Sequence, residues 1–341
     1  MTENYSNVEN LSVVMTTKPV LDGNGTSSSY IVDFHFECAV VVIGIVGTAA
    51  NALILYALVA SRQHKKHVLI ANQNALDFFS CLFLVITYAL KVCNIQLTGW
   101  PGYMMCMLIL NYNLLWCITI GSIINLAVIT VDRYLKVVHP VCSKNRLRSW
   151  MIRSAAAFSW IFGFLYSNIV TISTSDVVGG VCYAQVFYNS QLAKIAHGIY
   201  NFVSFYVIIL LIFVFCYWRI LVAIRRQAKW MDGHRGSSST AQARSNQVQS
   251  NVIKTMILVS AFFAITWAPI AVYYLLVNVD AHVTIMENGF YFSQFISMLY
   301  LCANPFIYAT KFDPVKHILL SLIPCKKTSE QPPESIEIRV V

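Results

Sequence analysis

Seven apolar stretches run along this chain, at residues 33–60, 68–92, 104–137, 152–173, 192–224, 249–278 and 287–309. A helix needs roughly 20 mostly apolar residues to cross the ~30 Å hydrocarbon core of a bilayer. Each stretch meets that length. Inside lipid the backbone polar groups must pair within the segment, so separate long runs read as separate helices. With 57% hydrophobic and 11% charged residues and a mean hydropathy of +0.61, the chain is far from soluble usage. The fold expected is an all-α membrane protein: a seven-transmembrane helix bundle.

Charge sets the orientation. If the chain alternates across the membrane, every Lys and Arg except Lys18, Lys91 and Lys194 falls on one side. The positive-inside rule then places the N-terminus outside and the C-terminus in the cytosol, in the plasma membrane. It also accounts for the net charge of +9 as a basic face toward anionic lipid and cytosolic partners. Nucleic-acid binding is excluded, because no basic soluble domain exists to hold it.

Residues 1–32 read as an extracellular, glycosylated tail. They carry the acceptor sequons at Asn4, Asn10 and Asn24, clustered on the side that charge selects independently. Residues 33–324 form the membrane domain, and 325–341 a cytosolic tail. The stretch 230–250, with its run of Gly and Ser, reads as a flexible linker. The run 312–323 is amphipathic and predicts a short eighth helix on the inner leaflet, with Cys325 after it suited to lipidation.

Polar groups within membrane helices are costly and mark function. Asn51 lies in the first apolar stretch, Asp77 in the second, Ser122 in the third and Asn304 in the seventh. Asp132-Arg133-Tyr134 ends the third, followed by Pro140 and Val141. Trp160 lies in the fourth. Phe263, Trp267 and Pro269 follow one another in the sixth, and Asn304-Pro305-Phe306-Ile307-Tyr308 closes the seventh. With these residues in this order, the chain resembles the rhodopsin-like (class A) G-protein-coupled receptors over about residues 35–325. Any one of these motifs is weak. The ordered set, each on the right side of the membrane, is specific.

The resemblance implies a receptor that binds an extracellular ligand and activates a heterotrimeric G protein, with arrestin as a further cytosolic partner. Coupling would involve Asp132, Arg133, Tyr134, Pro140, Val141, Tyr217 and Tyr308. Asp132 is placed to hold the Arg133 guanidinium by a charge-assisted pair at rest; the plainer reading of Arg133 is a snorkelling helix-end cation. Where many relatives carry an acid that locks this arginine to the sixth helix, this chain has Gln249, which cannot form that pair. Phe263, Trp267, Pro269 and Pro305 would form the activation switch, since proline removes a helix hydrogen bond and kinks the chain. In the fifth helix the family's proline position holds Ile209, so the bulge usual there is expected to be missing.

Two readings stand open for Asp77, whose charge finds no Lys or Arg at its depth. Family members hold a sodium ion here, which would make Asn51, Asp77, Ser122 and Asn304 an allosteric cation site. The alternative is a protonated, hydrogen-bonded carboxyl. No cofactor is expected beyond that ion.

Cys106 and Cys182 are the disulfide partners that the resemblance implies, although Cys106 lies 27 residues before Arg133, two more than in relatives. A local insertion or shifted helix start is therefore expected. Cys38 and Cys93 are alternative outer-face partners.

The ligand pocket by resemblance comprises Trp116, Thr119, Asn201, Phe205, Trp267, Ile270, Tyr274, Tyr291 and Gln294. It is aromatic and neutral, as a peptide end or small neutral molecule requires. Leu115 stands where amine receptors carry an Asp, which argues against an amine. A peptide is favoured, because the rim offers Tyr, Asn and Gln in number; a neutral small molecule or lipid is the alternative. A seven-helix ion or proton transporter is the competing class, but it needs a relay of ionisable groups through the bundle, and only Asp77 stands there. No metal-spaced His/Glu set or nucleophile triad supports an enzyme.

Overall fold

The second apolar stretch folds with the bounds its hydropathy predicts, as α2 (Val68–Val92). The other helices are α1 (Ser27–Ala60), α3 (Gly99–Met105), α4 (Asn113–Val138), α5 (Pro140–Arg146), α6 (Ser149–Thr171), α7 (Gln191–Asn201), α8 (Ile208–Gly233), α9 (Thr240–Val279) and α10 (Glu287–Lys311). This computed structural model describes residues 14–15, 27–93, 95–146, 148–171, 175–178, 180–184, 191–233, 240–279 and 287–311. Asn4, Asn10 and Asn24, the 312–323 run and Cys325 lie outside the described residues.

The helices form seven rods. α3 and α4 together make the third, α7 and α8 the fifth, and α1, α2, α6, α9 and α10 the others. α4 sits centrally, against α2, α6 and α8, while α10 closes the bundle between α9 and α1. Among the described residues, five rods are long and apolar enough to cross a membrane by length and composition: those at Phe34–Ala60, Val68–Val92, Gly99–Val138, Ile195–Gln227 and Ile253–Val279. α6 and α10 are helical but are not among them. The polar residues that dilute their apolarity point inward: Ser159 and Ser167 on α6, and Ser293, Gln294, Ser297 and Asn304 on α10, are all buried.

The bundle is inside out relative to a soluble protein. Val214 and Ile265 are 67% and 71% exposed, whereas Asn51, Asp77, Ser122 and Asn304 are fully buried. Apolar side chains face outward where lipid would solvate them, and the polar ones satisfy each other within.

Several bounds differ from the apolar runs. α1 begins at Ser27 rather than 33, and α9 at Thr240 rather than 249; α8 runs on to Gly233. Most of the expected linker at 230–250 is thus helical. Hydropathy marks only the lipid-embedded turns, while the Ala, Gln and Arg residues at 240–249 are good helix formers in water. The fold also has strands that a purely helical reading omits. β2 (Ser175–Val178) and β3 (Val181–Ala184) form an antiparallel hairpin that turns at Gly180, whose φ is +79°. A two-residue strand, β1 (Val14–Met15), pairs with β3.

The two surplus residues between Cys106 and Arg133 are absorbed by a break in the third rod. α3 gives way to a π-helical stretch at Cys106–Leu110, closed by Asn111 N–H donating to the Cys106 carbonyl at 3.0 Å. Tyr112 then turns left-handed at φ 58°, and its carbonyl accepts from Trp116 N–H at 2.8 Å to restart the helix. A left-handed tyrosine costs about 1–2 kcal/mol. Its ring recovers part of that, lying 4.1 Å from the Lys91 ammonium and 5.7 Å from the Tyr88 ring.

The fifth rod corrects another expectation. A π-helical stretch spans Phe202–Val207, just ahead of Ile209. The bulge therefore forms without proline, because a π turn needs only an extra residue in the ladder and not a missing donor.

Cys106 and Cys182 are bonded, with Cα atoms 5.4 Å apart, so the hairpin is tied to the third rod; Cys38 and Cys93 are free. Closing so long a loop stabilises the fold by about 4 kcal/mol in the chain-entropy account. Cys106→Ser or Cys182→Ser should each cut the folded yield sharply, and the double variant should be no worse than either. Non-reducing peptide mapping that joins Cys106 to another cysteine would contradict the pairing.

α4 and α6 touch backbone to backbone. A Cβ placed on Gly163 would collide with the Cys117 carbonyl oxygen and lie 2.8 Å from the Gly121 nitrogen. Since neither is a flexible side-chain end, Gly163→Ala must push the helices apart. An overpacking cost of about 1–3 kcal/mol should appear as a lower melting temperature of the purified protein. An unchanged melt would mean the crossing is looser than described.

Candidate functional site

Three sites line the axis of the bundle. At the disulfide end, a cavity of about 30 Å³ is lined by Tyr112, Leu115, Trp116, Thr119, Trp267, Ile270, Tyr274, Gln294, Ser297, Met298 and Leu301. Six of the nine expected pocket residues are among them. Asn201, Phe205 and Tyr291 are not. Asn201 accepts from Tyr166 Oη at 2.6 Å, and the Phe205 ring meets the Tyr166 ring edge-on at 4.4 Å. Both have been turned toward α6 by the π stretch that begins beside them. Tyr291 packs on Phe36 of α1, ring centroids 4.8 Å apart. The sequence reading missed Tyr112, whose place depends on its left-handed backbone, and Ser297, Met298 and Leu301, which share the inward face of α10 with Gln294 at helical spacing.

The cavity floor is aromatic. Trp116 meets Trp267 edge-on at 6.0 Å, and Trp267 stacks on Phe263 at 5.9 Å. Phe263 touches Phe213 and Tyr300, at 5.8 and 5.5 Å. The Trp267 indole N–H is buried without a protein acceptor. Pro269 and Pro305 both lie inside continuous helices.

Below that floor lies the polar cluster. Ser122 Oγ donates to Asp77 Oδ1 at 2.6 Å, and Asn304 Nδ2 to Oδ2 at 2.8 Å. Gln73 Nε2 lies 3.2 Å from Oδ1 and 3.4 Å from Oδ2, and it also donates to Ser122 Oγ. Asn125 Nδ2 in turn donates to Gln73 Oε1 at 2.8 Å. From Asn125 the network continues through Asn72 to the Trp160 indole, whose N–H donates to Asn72 Oδ1 at 2.8 Å. Asn51 stands apart from the carboxylate: its Nδ2 donates to the Gly47 and Leu301 carbonyls, at 2.9 and 3.3 Å. Of the expected cation quartet, the structure thus brings together Asp77, Ser122 and Asn304 and leaves out Asn51. It adds Gln73, which sequence alone offered as a neighbour: it precedes Asp77 by one helical turn on the same face.

A sodium ion does not fit this arrangement. Such an ion would need the Asp77 and Ser122 oxygens together, and the Gln73 amide group lies between them, presenting N–H donors to both. The amide cannot be read the other way round, because its oxygen is held by Asn125.

The third site is the basic end. Lys136 Nζ donates to Asp132 Oδ2 at 2.9 Å, while Arg133 Nε is 3.7 Å from the same oxygen. The expected Asp132–Arg133 pair is therefore a loose ion pair, with Lys136 holding the short contact. Tyr134 Oη lies 3.2 Å from His139 Nε2, and Val141, next to Pro140 on α5, is 73% exposed. Tyr217 Oη lies 3.1 Å from Thr130 Oγ1 and 2.9 Å from Ser260 Oγ, joining the third, fifth and sixth rods. His67, capping α2 nearby, is pushed down to about 4, by burial first and then by the Arg133, Lys136 and Lys66 charges. It is neutral at pH 7 and adds no charge to this end. The side chains of Gln249 and Tyr308 lie outside the described residues.

The chain is similar in sequence to known receptors over most of its length. The model of the 7 transmembrane receptor (rhodopsin family) matches residues 50–308. Somatostatin receptor type 5 of Rattus norvegicus is 27% identical over 278 residues, 79% of this chain and 72% of the relative. Somatostatin receptor type 3 of Mus musculus is 27% identical over 78% of this chain, but the match spans only 63% of that receptor. Melatonin receptor type 1A of Phodopus sungorus is 26% identical over 75% of this chain and 73% of the relative. The chain is a multi-pass membrane protein, a receptor rather than an enzyme, and belongs to the rhodopsin family of seven-transmembrane receptors.

Proposed function

We propose that the chain is a plasma-membrane receptor for an extracellular peptide that activates a heterotrimeric G protein, with its N-terminus outside and the Arg133 end in the cytosol. The cavity carries this reading. Its 30 Å³ holds about one water, whereas pockets for whole small ligands run to roughly 300–1,000 Å³. A peptide lying across the mouth and pressing on the aromatic wall suits such a shape. The disulfide-tied hairpin supplies a rim for it. Lys91, whose ammonium donates to Tyr112 Oη on the cavity wall and has no ion-pair partner among the described residues, suits a peptide carboxylate. Somatostatin and gonadotropin-releasing hormone II receptors among the relatives point the same way. The neutral lining and the melatonin receptor support a small neutral ligand as the second reading.

Ligand binding outside would shift a two-state bundle toward the form that admits the G protein. Arg133 and the exposed Val141 are the groups offered to it. Nucleotide exchange on the Gα subunit, measured in cells across a peptide library and a panel of neutral indoles, separates the two ligand classes. Activation by indoles alone would reject the peptide reading. Arg133→Ala should keep the surface level near normal and abolish exchange; a fully signalling variant would remove the role given to Arg133.

At rest the sixth rod is held by Tyr217 bonding to both Thr130 and Ser260. An outward swing of α9 breaks the Ser260 bond. Since one such bond contributes about 1 kcal/mol net, Ser260→Ala should raise ligand-free exchange by about fivefold. No rise in basal exchange would show that this bond persists in the active form.

A further inference from the structure

We infer that Gln73 replaces the cation at the centre of this bundle: its side-chain amide is the built-in counter-group of Asp77, and the receptor is indifferent to sodium. The inference concerns the resting bundle and stands whatever the ligand is.

A buried carboxylate needs donors or a cation for both oxygens, because the medium supplies neither. Here each oxygen has its own donor, Ser122 on Oδ1 and Asn304 on Oδ2. The remaining approach, between the two oxygens, is taken by Gln73 Nε2 at 3.2 and 3.4 Å. The same nitrogen faces Ser122 Oγ. It therefore occupies the position from which a small cation would reach the carboxylate and the hydroxyl at once, and it carries the same polarity as a cation toward them.

The amide is also fixed there. Gln73 is fully buried, and Asn125 donates to its oxygen at 2.8 Å while donating to the Leu69 carbonyl at 3.0 Å. Asn125 itself accepts from Asn72 at 2.9 Å, and Asn72 is held by Trp160 of α6. Withdrawing the amide to admit an ion would leave Asn125 Nδ2 without one acceptor, and in a dry interior each such loss costs more than in water. A leucine or alanine at 73 would have no such hold. The oxygens of Asp77 and Ser122 would then be open to an ion. The buried oxygen of Asn304, whose amide already reaches Asp77, accepts no protein donor and would be a further ligand.

The test is thermal unfolding of the full-length receptor in lipid nanodiscs, with sodium, potassium or choline chloride at equal ionic strength. Wild type should melt at the same temperature in all three salts. Gln73→Leu should gain a sodium-specific rise of roughly 5 °C, the size expected of an ion well above its dissociation constant. Adding Asp77→Asn to that variant should abolish the rise. Gln73→Ala serves if the leucine variant does not fold, and the wild-type measurement decides in any case. A sodium-specific rise in wild type would overturn the inference. So would indifference to sodium in both Gln73 variants, because Gln73 would then not be what keeps the ion out.

Discussion

The bundle depends on one constraint: a carboxylate at mid-depth that no Lys or Arg among the described residues meets. Asp77 is fully buried, and the groups within its reach are an amide, a hydroxyl and a second amide, contributed by α2, α4 and α10. In an apolar medium, leaving any of these unpaired costs several kcal/mol, so the three helices cannot rotate independently. Register follows from this. Once Ser122 and Asn304 are aimed at Asp77, Trp116 above and Arg133 below on α4, and Tyr300 on α10, are placed by helical spacing alone. The network's extension through Asn125 and Asn72 to Trp160 brings α6 under the same control. Helices that cannot use a hydrophobic effect against lipid are held by such polar contacts and by close backbone approach, the latter seen where Gly163 of α6 lies on α4.

The same polar economy bears on where two of the described rods depart from regular α-helix. The breaks in the third and fifth rods both lie in the disulfide-end half, where the cavity and hairpin relieve the demand for a perfect ladder. Tyr112 uses a left-handed turn to reach the cavity wall, and its cost is offset by contact with Lys91 and Tyr88. The π stretch at Phe202–Val207 turns Asn201 and Phe205 onto Tyr166. That narrows the cavity to what α4, α9 and α10 supply. Backbone irregularity thus sets pocket shape, and hence the size of the group that can enter.

Much of this was legible in the sequence, for reasons that differ by residue. The seven rods follow from apolar length, and Asp77 with Ser122 and Asn304 from the rarity of polar groups in such segments. Bounds beyond the lipid, as at Thr240, were not legible, because helix propensity in water leaves no trace in hydropathy. The pocket failed at Asn201 and Phe205 for one cause: a π turn has no single-residue signature, and one extra residue rotates every side chain before it. The surplus before Arg133 was visible as a count, but where it would be absorbed was not. Gln73 was overlooked because a neutral amide looks like an ordinary helix former until its carboxylate neighbour is placed. Thr130 and Ser260 were overlooked likewise, since small hydroxyl residues usually bond their own helix, as Thr130 also does to Leu126.

What links the cavity to the Tyr217 contacts toward the basic end is a continuous run of rings. Trp116 touches Trp267, Trp267 touches Phe263, Phe263 touches Phe213, and Phe213 lies 6.3 Å from Tyr217. Tyr217 then holds Ser260 and Thr130. Adjacency alone does not make a pathway; coupling needs an element with two arrangements that both ends bias. On the function proposed here α9 would be that element, because it carries Trp267 and Phe263 above and Ser260 below, with Pro269 removing one ladder bond on the cavity side. A ligand end that displaces Trp267 must either rotate its ring within a packed interior or move the helix that bears it. Packing resists the first on the side away from the cavity, where the Phe263 and Tyr300 rings lie 5.9 and 6.4 Å from the indole. The second breaks the Tyr217–Ser260 bond and strains the Tyr206 Oη–Ala264 carbonyl bond, each about 1 kcal/mol. Motion of the helix is therefore the less costly response, and a ligand needs only a modest preference for the moved state to populate it.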